Sequence, residues 1–223
     1  MNKHIKGGIV LLSFFIYPFF VTLPFELLNW DIEYLSINLK IIYLISFNMV
    51  FLCSLLIIYN KDVVNYFYDF KKNGQKYMKK SLKYWYIGLL IMITANGLIN
   101  NYTPNEIAKN EEALRNMLNI APLYVLFSTV LYAPIVEEII CRKVLKDIIN
   151  YKWPFIIASS LLFGGAHVLG SITSLWSLLY IIPYGALGGA FAYAYYKTNN
   201  LLTPIFLHAL HNGILISIYL IVF

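Results

Sequence analysis

Seven stretches of this chain are each apolar enough and long enough to cross a bilayer, and no other feature constrains its fold as strongly. A hydrocarbon core of ~30 Å takes about 20 apolar residues in helical form. The runs cover 7–28, 39–59, 84–100, 121–146, 153–169, 174–196 and 201–222. In lipid every backbone polar group must pair within its own segment or within a closed barrel, so long unalternating runs of this kind predict helices. The expected fold is all-α: a polytopic membrane helix bundle of about seven spans, forming one integral membrane domain over 1–223. Composition agrees, with 60% hydrophobic and 13% charged residues against ~45–50% and ~25% in soluble domains. The first run is too long for the core of a signal peptide and reads as a retained span. Cys53 and Cys141 both lie in apolar runs, which excludes a disulfide framework and a CxxC site.

The net charge of +6 is clustered rather than spread. Between the second and third runs, "NKDVVNYFYDFKKNGQKYMKKSLK" holds Lys61, Lys71, Lys72, Lys76, Lys79, Lys80 and Lys83. Its aromatic residues Tyr66, Phe67 and Phe70 suggest an interfacial amphipathic helix on the anionic face of the lipid bilayer; a solvated basic loop that only fixes topology fits equally. Clustering of this kind argues for membrane orientation rather than nucleic-acid binding. Lys3 and Lys6, the seven lysines, the group Arg142, Lys143, Lys146 and Lys152, and Lys197 all fall on one side of the seven spans. The positive-inside rule makes that side cytoplasmic, with the N-terminus inside and the C-terminus outside. The frequent Ile, Asn, Lys and Tyr suggest an AT-rich bacterial genome, so the membrane expected is a bacterial plasma membrane. The other loops, "NWDIEYLSINLK", "NYTPNEIAKNEEALRNMLN" and "GSITS", carry few cations, and the region 102–118 has the charge spacing of a short outer helix.

Ionisable groups inside spans are costly and mark function by default. Span four carries Glu137, Glu138 and Arg142, span five His167, and span seven His208, His211 and Asn212. At ~1.5 Å per residue the three groups reach overlapping depths, in one polar chamber expected nearer the cytoplasmic half. At ~100° per residue, Glu138 and Arg142 lie about 40° apart and one turn along, in the favourable order for an ion pair. Glu137 points about 100° away from Glu138, toward the chamber. A desolvated carboxylate without a cationic partner suits general acid–base work. His208 and Asn212, i and i+4, present to one side as donors for a developing oxyanion. Asn96 and Asn100 on span three read as interfacial, and His211 as a bystander. Gly164, Gly165, Gly185, Gly188 and Gly189 read as helix-packing positions.

In order and spacing, "EEIICR" (Glu-Glu-x-x-x-Arg), "FGGAH" (Phe-x-x-x-His) and "HALHN" (His-x-x-x-Asn) resemble the CAAX protease and bacteriocin-processing family, also called Abi, of intramembrane endopeptidases. The family includes the Ras-converting prenyl-protein endopeptidase, and the resemblance covers about 120–215. It implies that Glu137 and His167 activate the attacking water, that His208 and Asn212 form the oxyanion hole, and that Glu138 and Arg142 support them. It further implies a membrane-associated peptide or protein substrate, such as a peptide pheromone or bacteriocin precursor. A metal-free mechanism without cofactor is the favoured reading; in a metal-dependent one, Glu137, His167 and His208 would hold zinc with a water. The reading from a different class is a non-catalytic membrane scaffold or bacteriocin-immunity protein. A transporter with an ion-coupled Glu–His site is disfavoured because no inverted repeat is visible.

Overall fold

The computed structural model describes residues 2–30, 34–103 and 108–222, all helical apart from short connections. Asp31–Glu33 and Pro104–Ile107 of the two outer loops singled out above lie outside the described residues. Seven helices are long and apolar enough to cross a membrane: α1 Lys3–Leu27, α2 Ile37–Ile58, α3 Asn60–Tyr102, α5 Pro122–Ile148, α6 Lys152–Ser171, α7 Leu175–Thr198 and α8 Leu202–Val222. The eighth, α4 Lys109–Ile120, is the short helix that the charge spacing predicts between the third and fourth spans.

The basic segment is helical, and it is continuous with the third span: α3 runs unbroken over 43 residues from Asn60 to Tyr102. At ~1.5 Å per residue that is about 64 Å, roughly twice the hydrocarbon thickness. The lysine-rich first half is therefore an arm continuous with the third span. No proline interrupts it, and lysine is a good helix former, so change of polarity does not mean change of backbone.

Asn200, in the turn between α7 and α8, ties the arm down. Its Nδ2 donates to the Tyr66 carbonyl at 2.9 Å and to Asp69 Oδ2 at 2.7 Å. Its Oδ1 accepts from the Leu202 amide at 3.0 Å, opening α8. Asn73 and Tyr77 also donate to Asp69. Farther along, Lys143 bridges Asp147 and Asp62, and Lys6 and Lys143 both lie against the Tyr59 ring. Lys3 donates to Asn150, and Lys146 and Lys152 share the Tyr196 ring. The cations of α1, α5 and α6 are thus gathered at one end of the bundle, beside the start of the α3 arm.

The core is built from α5, α6 and α7, with α3 and α8 packed around them. The α6–α7 contact needs its glycines. A Cβ on Gly164 would sit 2.6 Å from the Ile181 carbonyl, and one on Gly188 2.8 Å from Phe163 Cβ. α1 fully buries Gly7 and Val10 and packs Leu11, Phe14 and Tyr17 partly against the core.

α5 is not a regular helix. Phe127–Tyr132 and Ile139–Val144 are π-helical, flanking the α-helical turn Ala133–Glu138. Such wide turns recur at functional sites. The first has a visible cause in Pro134, which lacks an amide hydrogen and crowds the carbonyl one turn back.

Candidate active site

The turn between the two π segments sets two adjacent glutamates to different tasks. Glu138 turns inward and is 0% exposed. Its carboxylate meets Arg142 with Nε at 2.8 Å and Nη2 at 3.1 Å, in the i,i+4 order that the spacing predicts. Arg142 also donates from Nη1 to Ser159 Oγ at 2.9 Å, and Ser159 passes its own hydrogen to the Cys141 carbonyl. The guanidinium stands over the Phe163 and Phe191 rings. A buried ion pair holds only when its remaining donors are matched, and Ser159 supplies that match here.

His208 joins the same carboxylate, with Nδ1 3.1 Å from Glu138 Oε1 and its ring stacked on Phe191. An ionised carboxylate only accepts, so Nδ1 carries the hydrogen. The Nε2 of His208 then donates only when the ring is an imidazolium, a charge that Glu138, already met by Arg142, does not require.

Glu137 faces the other way, toward α6. Its Oε2 lies 3.8 Å from His167 Nε2, is buried and has no hydrogen-bond partner. His167 is fixed by its Nδ1, 2.8 Å from the Phe163 carbonyl, and by a parallel stack on Tyr184 with centroids 4.6 Å apart. A carbonyl only accepts, so Nδ1 again holds the hydrogen and Nε2 turns a lone pair toward Glu137. Two bases thus face one gap. Phe163 packs against both histidine rings and sits in the space left by Gly188, which links helix packing to site geometry.

A cavity of about 130 Å³ adjoins this pair, lined by Phe14, Asn110, Glu137, Cys141, Phe163, Ala166 and His167. That is room for several waters, since about 10–15 Å³ suffices for one. Its lining reaches from Phe14 and Cys141 to Asn110 on α4. His167 lies one residue before the α-helical part of α6 ends at Val168, and Glu137 lies 11 residues before the cation-rich end of α5 at Ile148.

His208 and Asn212 are not among the side chains lining that cavity. Both face α5, as their i,i+4 spacing predicts, but each already has a partner. Asn212 donates from Nδ2 to the Thr129 carbonyl at 2.8 Å. In the π turn the Ala133 amide goes to Ser128, so the next amide, due to Thr129, would come from Pro134, which has none. Asn212 fills that vacancy and keeps a second N–H. His211 turns toward Trp85 of α3.

Sequence reasoning missed Ser159, Tyr184, Phe191 and Asn110. Ser159, Phe163 and His167 repeat every four residues on one face of α6, a signal that was available. Tyr184 and Asn110 carried none. Among the described residues no three His, Cys, Asp or Glu side chains converge as metal ligands. With His208 committed to Glu138, the Glu137–His167 pair falls short of the three protein ligands of a catalytic zinc site.

Residues 119–214 match the family model described as Type II CAAX prenyl endopeptidase Rce1-like, and all three motifs lie inside that segment. The protein named "Putative membrane peptidase YdiL" of Bacillus subtilis (strain 168) is 28% identical over 158 residues, 67% of this chain and 61% of that protein. The "Membrane-embedded CAAX protease MroQ" of Staphylococcus aureus (strain USA300) is 29% identical over 139 residues, 58% of this chain and 53% of that protein. The chain therefore spans less than two thirds of the length of either relative. No solved structure matches it.

Proposed function

From the similarity of residues 119–214 to the Rce1-like CAAX prenyl endopeptidases, we propose that this membrane protein is an endopeptidase that hydrolyses a peptide bond of a membrane-associated peptide or protein. The observation that carries the reading is the pair of bases, Glu137 Oε2 and His167 Nε2, 3.8 Å apart beside a cavity large enough for water.

A water between the two bases donates one hydrogen to each. As its oxygen attacks the scissile carbonyl, Glu137 takes the proton, giving a tetrahedral intermediate. The negative charge on the former carbonyl oxygen needs donors that are already oriented. The Nε2–H of a charged His208 and the second N–H of Asn212 are the donors available on α8. Collapse of the intermediate breaks the C–N bond, and the proton held by Glu137 passes to the leaving amine. Glu138 and Arg142 touch no reacting atom in this scheme; they fix the position and orientation of the His208 ring.

The cation-rich end is assigned to the cytoplasm of a bacterial cell, with the N-terminus inside. The substrate belongs to the class of membrane-tethered peptides or pheromone and bacteriocin precursors.

The test compares wild type with Glu137→Gln at matched membrane levels. Peptides released from a membrane-tethered peptide library in proteoliposomes are identified by mass spectrometry. Wild type yields discrete cleavage products and Glu137→Gln yields none. Identical products from both, or none from either while both fold, would overturn the proposal in favour of a scaffold or immunity role.

A further inference from the structure

The lysine arm of α3 is used by none of the chemistry above. At about 100° per residue, Lys61, Lys72, Lys76, Lys79, Lys80 and Lys83 fall within one sector of about 100°, and all six are exposed. The face turned away from them is the packed one. It carries Tyr66, which bonds Tyr195, Phe70, which stacks on Phe206, and the buried Ser81. The Asn200 bonds to Tyr66 and Asp69 fix the arm's rotation, so the lysines cannot turn inward.

Beside the lysine sector lies an exposed apolar strip of Val64, Tyr68 and Leu82. Lysines alone would suit any polyanion. A lysine sector flanked by apolar and aromatic side chains, continuous with a membrane span, has the pattern of a helix that meets headgroups and acyl chains at once. We propose that this face of α3 is a binding surface for anionic phospholipid headgroups, held in place by the Asn200 latch. Each lysine near an anionic leaflet strengthens binding several-fold, and the latch presents the row without an ordering cost on binding.

Lipid retention tests this. The full-length chain is extracted in mild detergent from bilayers of equal parts phosphatidylglycerol and phosphatidylcholine, and each lipid per protein is counted by mass spectrometry. Phosphatidylglycerol is retained in excess, and the excess disappears as salt is raised toward ~1 M, where the Debye length shrinks to about 3 Å. Replacing Lys72, Lys76, Lys79, Lys80 and Lys83 by Gln lowers the excess about tenfold or more, while replacing the same five by Arg preserves it. Equal retention of both lipids, or an excess unaffected by salt, overturns the proposal. So does displacement of the lipid by poly-glutamate at equal charge, which would assign the surface to an acidic protein partner. Should the Gln variant fail to insert, the salt titration of the wild-type chain decides alone.

Discussion

Asn212 hydrogen-bonds the one carbonyl of α5, that of Thr129, which Pro134 leaves without an amide partner. The residue proposed for the oxyanion hole is thus also the patch on a backbone defect eight residues before Glu137 on α5. Removing it exposes both roles. Asn212→Ala leaves a half-buried carbonyl without that partner, at a cost of about 1 kcal/mol. In a Pro134→Ala background the restored amide takes over, so the two substitutions couple by about 1 kcal/mol. A double-mutant cycle of unfolding in detergent micelles measures this; strict additivity would sink it.

The adjacent glutamates separate function from stability. Glu138→Gln leaves Arg142 buried without its counter-charge, and breaking such a pair costs about 3–5 kcal/mol. Glu137→Gln removes a 22% exposed side chain with no hydrogen bond on Oε2, and stability should change by less than about 1 kcal/mol. The first variant should show a large fall in Tm, the second a wild-type Tm with peptide release abolished. Equal Tm losses would contradict the division drawn from the geometry.

Gly188→Ala places a Cβ 2.8 Å from Phe163 Cβ, so α6 and α7 must separate. Overpacking of this kind costs about 1–3 kcal/mol, and Phe163 would shift with both histidines. Gly189→Ala, whose Cβ would rest 3.5 Å from Ser160 Oγ, is the matched control and should be tolerated. Thermal stability of the pair, read with the proteoliposome assay, checks the ordering.

Tyr184 holds His167 by ring stacking. Stacking is worth about 0.5–1.5 kcal/mol beyond burial, so Tyr184→Ala should slow peptide release by about 2–10-fold, while Tyr184→Phe keeps the rate. A loss in kcat with KM unchanged identifies positioning of the base rather than substrate binding.

What could be read before any coordinates follows from which forces are local. Lipid permits little but helices, so the seven spans were legible from run lengths, and Glu138–Arg142 followed from helical spacing. That the basic segment 60–83 continues the third span without a break was not legible, because a change of polarity marks a change of surroundings and not of backbone. Which carboxylate His208 meets depends on the rotation of α8 against α5, a property of packed side chains from both helices. The wide turns of α5 were equally hidden: Pro134 announces a defect, but not which neighbour repairs it.

An unbroken α3 also has a mechanical consequence. Its basic arm is pinned at Asn200, and near its other end the Asn100 side chain accepts from Tyr180, one turn from the Tyr184 that backs His167. A continuous helix held at both points acts as a lever: a displacement of its lysine-bearing arm reaches the neighbourhood of the Glu137–His167 pair as a tilt.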